Sequence, residues 1–140
     1  MKTTFSTEIR VRYVETDQMG FAHHSNYLHW FEIARTEWLR AIYKSYRHLE
    51  ETGVLMPVTG CALQYKQSAT YDDVLQISAW IVSYNKVRMS FAYEITRDGE
   101  VIATGTTDHA FIKRDGSVVR LDRSNPDFHE AIQSQVSSDR

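Results

Sequence analysis

Cysteine is almost missing from this chain. Cys61 stands alone, so no disulfide can form within it. A lone thiol suits a reducing compartment, and the cytoplasm is the expected location. Proline occurs twice and glycine six times in 140 residues. That is too few for a flexible linker, and no repeat or low-complexity segment is visible. No apolar run approaches the roughly 18 residues a membrane-spanning helix needs. The stretch Met1–Arg12 alternates polar and apolar residues and lacks the apolar centre of a signal peptide. Neither sign of charge dominates: 16 Lys and Arg face 18 Asp and Glu, a net charge of −2. A basic face for nucleic acid and an acidic tail are both excluded.

Chemical signatures are absent too. There is no G-x-x-x-x-G-K phosphate loop, no G-x-G-x-x-G turn and no G-x-S-x-G nucleophile elbow. No C-x-x-C pair exists. Six histidines are present, but His24 and His29 are five apart, about 140° around a helix, and the others show no ligand spacing. No metal is expected.

What is there fits one domain, 1–140, long enough to bury about two-thirds of its unfolded surface. Phe5, Ile9, Val11 and Tyr13 alternate with Glu8, Arg10 and Arg12, as in a first strand. Tyr27, Leu28, Phe31, Ala34, Trp38, Leu39 and Ile42 then recur at three- and four-residue spacing. They predict an amphipathic helix from near Ser25 to near Tyr43, capped by Ser25 or Asn26. Strands are predicted over 58–68, 74–84, 87–96 and 101–112. Asp98-Gly99 is a hairpin signal, Asp115-Gly116 a turn, and Asp127–Gln135 a short terminal helix. A long apolar helix and one sheet face suit each other. The strands over 77–81 and 101–112 carry apolar residues on both faces, so self-association is expected to cover the second face.

One segment carries a candidate chemistry: Tyr13-Val14-Glu15-Thr16-Asp17-Gln18-Met19-Gly20-Phe21-Ala22-His23-His24-Ser25-Asn26-Tyr27. Asp17 lies in a turn just before the long helix, and Gly20 permits a sharp bend. A helix start offers unpaired N–H groups and partial positive charge. Such a terminus can polarise a carbonyl while a nearby carboxylate attacks it or activates water. Local spacing alone does not single out Asp17, since an Asp before a helix is more often a turn residue or a cap. Glu15 competes with it, though alternation from Tyr13 points Glu15 elsewhere.

The extended pattern Y-x-x-T-D-x-x-G-x-x-x-H-x-N-Y-x-x-W-F-E-x-A-R resembles the hot-dog-fold thioesterases of the 4-hydroxybenzoyl-CoA thioesterase family. It is most similar to the bacterial acyl-CoA thioesterase branch associated with the Tol-Pal envelope system. The similarity runs on through Ala34–Leu39, resumes at Tyr71-Asp72-Asp73, and follows the element order from Phe5 to Lys113.

The resemblance implies an α+β hot-dog fold, with an antiparallel sheet of about five strands wrapped around one long helix. It implies an enzyme that hydrolyses an acyl-CoA thioester to free acid and CoA, with no cofactor beyond the CoA of its substrate. Asp17 falls on the family's catalytic aspartate. His24 falls on the residue whose backbone N–H polarises the thioester carbonyl. Val58 and Thr59 fall on a loop lining the acyl pocket, and Lys86 and Arg88 on basic residues that meet the CoA phosphates. Glu32 matches the helix carboxylate of another hot-dog branch. A homo-oligomer is implied, a dimer or a dimer of dimers forming a homotetramer, with sites between subunits. An acyl carrier protein is a further candidate partner. The same fold serves dehydratases and non-catalytic acyl-thioester or acyl-carrier-protein binding modules, which are the alternatives.

Overall fold

The computed structural model describes residues 4–137. Its five strands form one antiparallel sheet in the order β1-β3-β4-β5-β2. They span Phe5–Arg10 (β1), Val58–Tyr65 (β2), Val74–Tyr84 (β3), Arg88–Arg97 (β4) and Glu100–Ala110 (β5). Four helices accompany them: Ser25–Ile42 (α1), Tyr46–Glu51 (α2), Leu121–Ser124 (α3) and Pro126–Ser137 (α4). This is the α+β architecture expected of a hot-dog fold. The first two strands are parted by α1 and take opposite edges of the sheet, and the β3-β4-β5 meander fills the middle.

The helix stripe is what closes this arrangement. Trp30, Phe31, Ala34, Trp38 and Leu39 are buried along α1. They meet Leu75, Ile77 and Ala79 of β3 and Met89, Phe91, Tyr93 and Ile95 of β4, all buried. Phe31 stacks on Tyr93 with centroids 4.2 Å apart, and Trp38 meets Phe91 edge-on at 4.8 Å. Burying each such ring stabilises by about 1.5–3 kcal/mol. Gly105 lets the helix come this close: a Cβ there would lie 2.5 Å from Phe31 Cε2 and 2.8 Å from the Ala62 carbonyl. Asp98 and Gly99 carry φ of 53° and 80°, the left-handed pair of a type I′ hairpin, as that dipeptide predicts.

Several expectations need correction. Tyr13 does not continue the first strand and is 77% exposed. The chain leaves the sheet at Val11, whose N–H and carbonyl pair with Asp73 O and Asp72 N at 2.9 Å each. Glu15 then accepts from the Arg12 N–H at 2.8 Å and curls Tyr13–Glu15 into a 3-10 turn. The second sheet face is less apolar than alternation implied. Trp80 is the large ring there, among Ala62, Gln64, Ala92, Glu94, Thr104 and Thr106 around a shallow hollow of about 460 Å³. The short helices α2 and α3 carry too few periodic residues to be read from sequence. Tyr46 and Leu49 of α2, and Leu121 of α3, nevertheless pack on the core.

Candidate active site

The loop before α1 is built from its own polar groups. Thr16 and Ala22 form a β-bridge, and Asp17 N–H donates to Phe21 O at 2.8 Å. Gly20, at φ 85°, donates back to Asp17 O at 3.0 Å. Inside this tight loop Asp17 Oδ1 accepts N–H bonds from Met19 at 2.8 Å and Phe21 at 3.3 Å. Asp17 therefore is a turn residue, through one oxygen. Its Oδ2 makes no hydrogen bond or ion pair among the described residues.

Glu15 is a strut. It is buried at 7% exposure, and its Oε2 accepts from Trp30 Nε1 at 3.2 Å. Its backbone carbonyl accepts from His23 N–H at 2.8 Å and from Asn26 Nδ2 at 2.9 Å. The Trp30 and Asn26 bonds fix the loop to α1, the His23 bond closes the loop on itself, and the Glu15 carboxylate is engaged with Trp30 and Arg12.

The helix start differs from the sequence expectation. Neither Ser25 nor Asn26 caps it. His24 takes the cap position without a side-chain bond. The ring Nδ1 of His23 accepts from Ser25 N–H at 3.2 Å, and His23 O accepts from Asn26 N–H at 3.0 Å. Tyr27 N–H reaches His24 O at 3.3 Å. The first-turn donors are thus occupied. The backbone N–H of His24, just before the helix, makes no hydrogen bond among the described residues.

Asp17 and His24 line one cavity of about 240 Å³, together with His23, Tyr27, Tyr65 and Gln67. Tyr65 sets its ring edge-on to Tyr27 at 4.9 Å, and its hydroxyl donates to His24 O at 3.3 Å. Burial raises the phenol pKa of both tyrosines, so both stay protonated donors. The sequence reading did not single out Tyr65, Gln67 or His23. Tyr65 closes an edge strand some forty residues downstream of the loop, and no local spacing links the two.

The other candidates lie elsewhere in the subunit. Val58 lines a cavity of about 210 Å³ with Glu32 and Arg35. Thr59 and Arg88 line a polar hollow of about 450 Å³ with Tyr84, Ser90, Asp108 and His109. Lys86 sits in the β3–β4 turn at φ 79°, its carbonyl accepting from Leu121 N–H at 2.9 Å. Asn85 Oδ1 shapes that turn by accepting from Val87 and Arg88 N–H at 3.2 and 2.8 Å. Within one chain Asp17 and His24 come together, while Val58, Thr59, Lys86 and Arg88 do not join them. No cluster of three or more metal-ligating side chains exists among the described residues.

A curled antiparallel sheet holding one long helix, with a carboxylate and a free N–H at the helix start, defines a hot-dog thioesterase architecture. Residues 11–136 match the thioesterase-like superfamily, and the chain belongs to that family. Among its relatives, a putative acyl-CoA thioesterase of Bacillus subtilis, YneP, is 34% identical over 128 residues, 90% of this chain and 93% of that one. The acyl-CoA thioesterase YbgC of Haemophilus influenzae is 31% identical over 109 residues, 77% of this chain and 80% of the relative. The solved DHNA-CoA thioesterase from Staphylococcus aureus superposes with a TM-score of 0.92 at 37% identity, covering 98% of this chain and 95% of that one.

Proposed function

We propose that this chain hydrolyses an acyl-CoA thioester to a free acid and CoA, with Asp17 as the essential carboxylate. One observation carries the assignment of residues: the free oxygen of Asp17 and the unpaired N–H of His24 belong to groups lining one cavity. The thioester carbonyl oxygen takes the His24 N–H, which strengthens as negative charge develops on that oxygen. Asp17 either attacks the carbonyl carbon or takes a proton from the water that does. The carbon–sulfur bond then breaks and CoA leaves as a thiolate, which takes up a proton; where Asp17 is the nucleophile, water then hydrolyses the mixed anhydride left on it, releasing the acid and restoring the carboxylate. Names of relatives such as YneP and YbgC support acyl-CoA hydrolysis, and no finding favours a non-catalytic binding module.

The complete site is a two-chain site in this reading. The β2 strand is a sheet edge that pairs on one side with β5. One end of it, Tyr65, lines the Asp17 cavity, and the other end carries Val58 and Thr59. Antiparallel pairing of β2 with a second copy sets the Tyr65 end of each chain beside the Val58 end of the other. That brings Val58 and Thr59 of the copy towards the acyl group. Lys86 and Arg88 are proposed to meet the CoA phosphates. The homodimer, a tetramer built from two of them, a cytoplasmic location, acyl carrier protein as an alternative thioester donor and membership of the Tol-Pal-associated branch are parts of the same proposal.

Asp17→Asn is the test. The amide oxygen can still accept the Met19 and Phe21 N–H bonds, so the loop persists while the base or nucleophile is lost. Turnover, followed by free thiol release from a panel of acyl-CoA chain lengths, should fall by several orders of magnitude, as expected when a group acting in the transition state is removed. Retention of more than about a tenth of wild-type kcat/KM would remove Asp17 from the central role.

A further inference from the structure

A line of hydrogen bonds crosses the otherwise apolar core and ends at Arg35. His109 is fully buried, and its Nδ1 faces Met56 O at 3.2 Å. A carbonyl only accepts, so Nδ1 carries the proton and Nε2 is the acceptor. Thr107 Oγ1 must then donate to His109 Nε2, at 2.8 Å. Tyr93 in turn donates its hydroxyl to Thr107 Oγ1, at 2.6 Å. That leaves the Tyr93 oxygen to accept from Arg35, at 3.3 Å. Every proton in the line is assigned. Burial and the nearby Arg35 charge lower the His109 pKa to about 4, so the imidazole is neutral and Arg35 supplies the charge.

Arg35 is half-buried on α1 and lines the 210 Å³ cavity with Glu32, Thr36, Tyr46, Met56 and Val58. A guanidinium has five N–H donors. One is used on Tyr93, and no ion pair involves Arg35 among the described residues. Glu32 is the other charged group lining the cavity, but it is exposed and its charge is screened by solvent. A partly desolvated cation lacking a counter-ion is costly, and a carboxylate relieves that cost in the fork geometry that arginine favours.

We propose that Arg35 fixes substrate choice by binding a carboxylate at the far end of the acyl group, which makes short dicarboxylic acyl-CoA thioesters the preferred substrates. This rests on the thioesterase reading and on the two-chain site, in which the cavity beside Val58 of one chain receives the acyl group held by Asp17 of the other. Tyr93, Thr107 and His109 are positioning residues: they hold the guanidinium on one side and the Met56 wall of the cavity on the other.

The test compares glutaryl-CoA with hexanoyl-CoA, alike in length and differing in the terminal charge, by release of free CoA thiol. Wild type should favour glutaryl-CoA in kcat/KM by about 10- to 100-fold, the worth of charge-assisted hydrogen bonds. R35M should bring that ratio to near unity. T107V cuts the line at its centre and should raise KM for glutaryl-CoA while leaving kcat on it nearly unchanged, a split that general loosening of the core would not give. Wild-type preference for hexanoyl-CoA overturns the proposal without any variant. So does R35M lowering both substrates by one factor, or R35M dissociating the oligomer with the ratio unchanged, since the guanidinium then pairs with the second copy. Hydrolysis of neither thioester by wild type overturns the thioesterase reading as well, which separates the two failures.

Discussion

The indole N–H of Trp30 donates to Glu15 Oε2 at 3.2 Å, and through it the loop carrying Asp17 is fastened to the second turn of α1. Glu15 also holds the Arg12 N–H and, through its backbone, His23 and Asn26. Replacing Glu15 by Ala leaves the Trp30 and Arg12 N–H groups without their acceptor. The expected loss of stability in urea denaturation is about 2–4 kcal/mol, from two stranded donors. W30F, which removes a single donor together with some ring area, should lose less than E15A in hydrogen-bond terms. Its thioesterase rate should fall less than that of E15A, because the Glu15 carboxylate still holds the Arg12 N–H and with it the turn that leads to Asp17. An E15A protein as stable and active as wild type would show that the strut is idle.

His109 makes stability depend on pH. Its folded pKa is lowered from 6.5 to about 4, mainly by burial. The unfolded chain therefore binds a proton below pH 6.5 that the folded chain refuses. Stability is fully present above pH 6.5, falls as pH drops towards 4, and levels off below that. The whole loss from this group is on the order of 3 kcal/mol. Urea midpoints measured from pH 7.5 to 4 should fall more steeply for wild type than for H109N, which has no such proton to refuse. Parallel curves for the two proteins would assign the acid loss to other groups.

The exposed β2 edge makes a prediction about mass. Val58, Cys61 and Tyr65 are exposed along a strand with a free edge. Such an edge is covered in stable proteins, and pairing with its own copy is the simplest cover. Sedimentation at micromolar concentration should give at least two chains per particle. Dilution that halves the mass should remove activity in step, since the proposed two-chain site takes Val58 and Thr59 from the second chain. A single-chain particle with full activity would place the whole site within one subunit.

Much of the fold was legible in advance because its periods are unambiguous. The three- and four-residue spacing from Tyr27 to Ile42 leaves little choice but a helix, which spans Ser25–Ile42. The period of two from Met89 to Ile95 gives β4, and Asp98-Gly99 gives its turn. Tyr13 misled because alternation persists one step past the point where Glu15 bends the chain. Asp17 was legible as a candidate from its place before a helix, but its division into a turn oxygen and a free oxygen was not. The helix cap was also misread: the obvious residues, Ser25 and Asn26, yield to the ring and carbonyl of His23.

The sequence by itself determined the long helix, the strands and the turn before the helix, and offered the carboxylate as a candidate, because each depends on neighbours within about five positions. Tertiary structure alone decided which of those residues share a cavity. Tyr65 meets His24 across 41 positions, and His109 reaches Met56 across 53. Those meetings follow from β2 joining the far edge of the sheet, beside β5, rather than from any local pattern. Long-range pairing is chosen by the burial of whole faces, and a side chain's partner across the sheet is a consequence of that choice. The same pairing brought Asp17 and the N–H of His24 to one cavity with Tyr65, and kept Val58, Thr59, Lys86 and Arg88 away from them within the single chain.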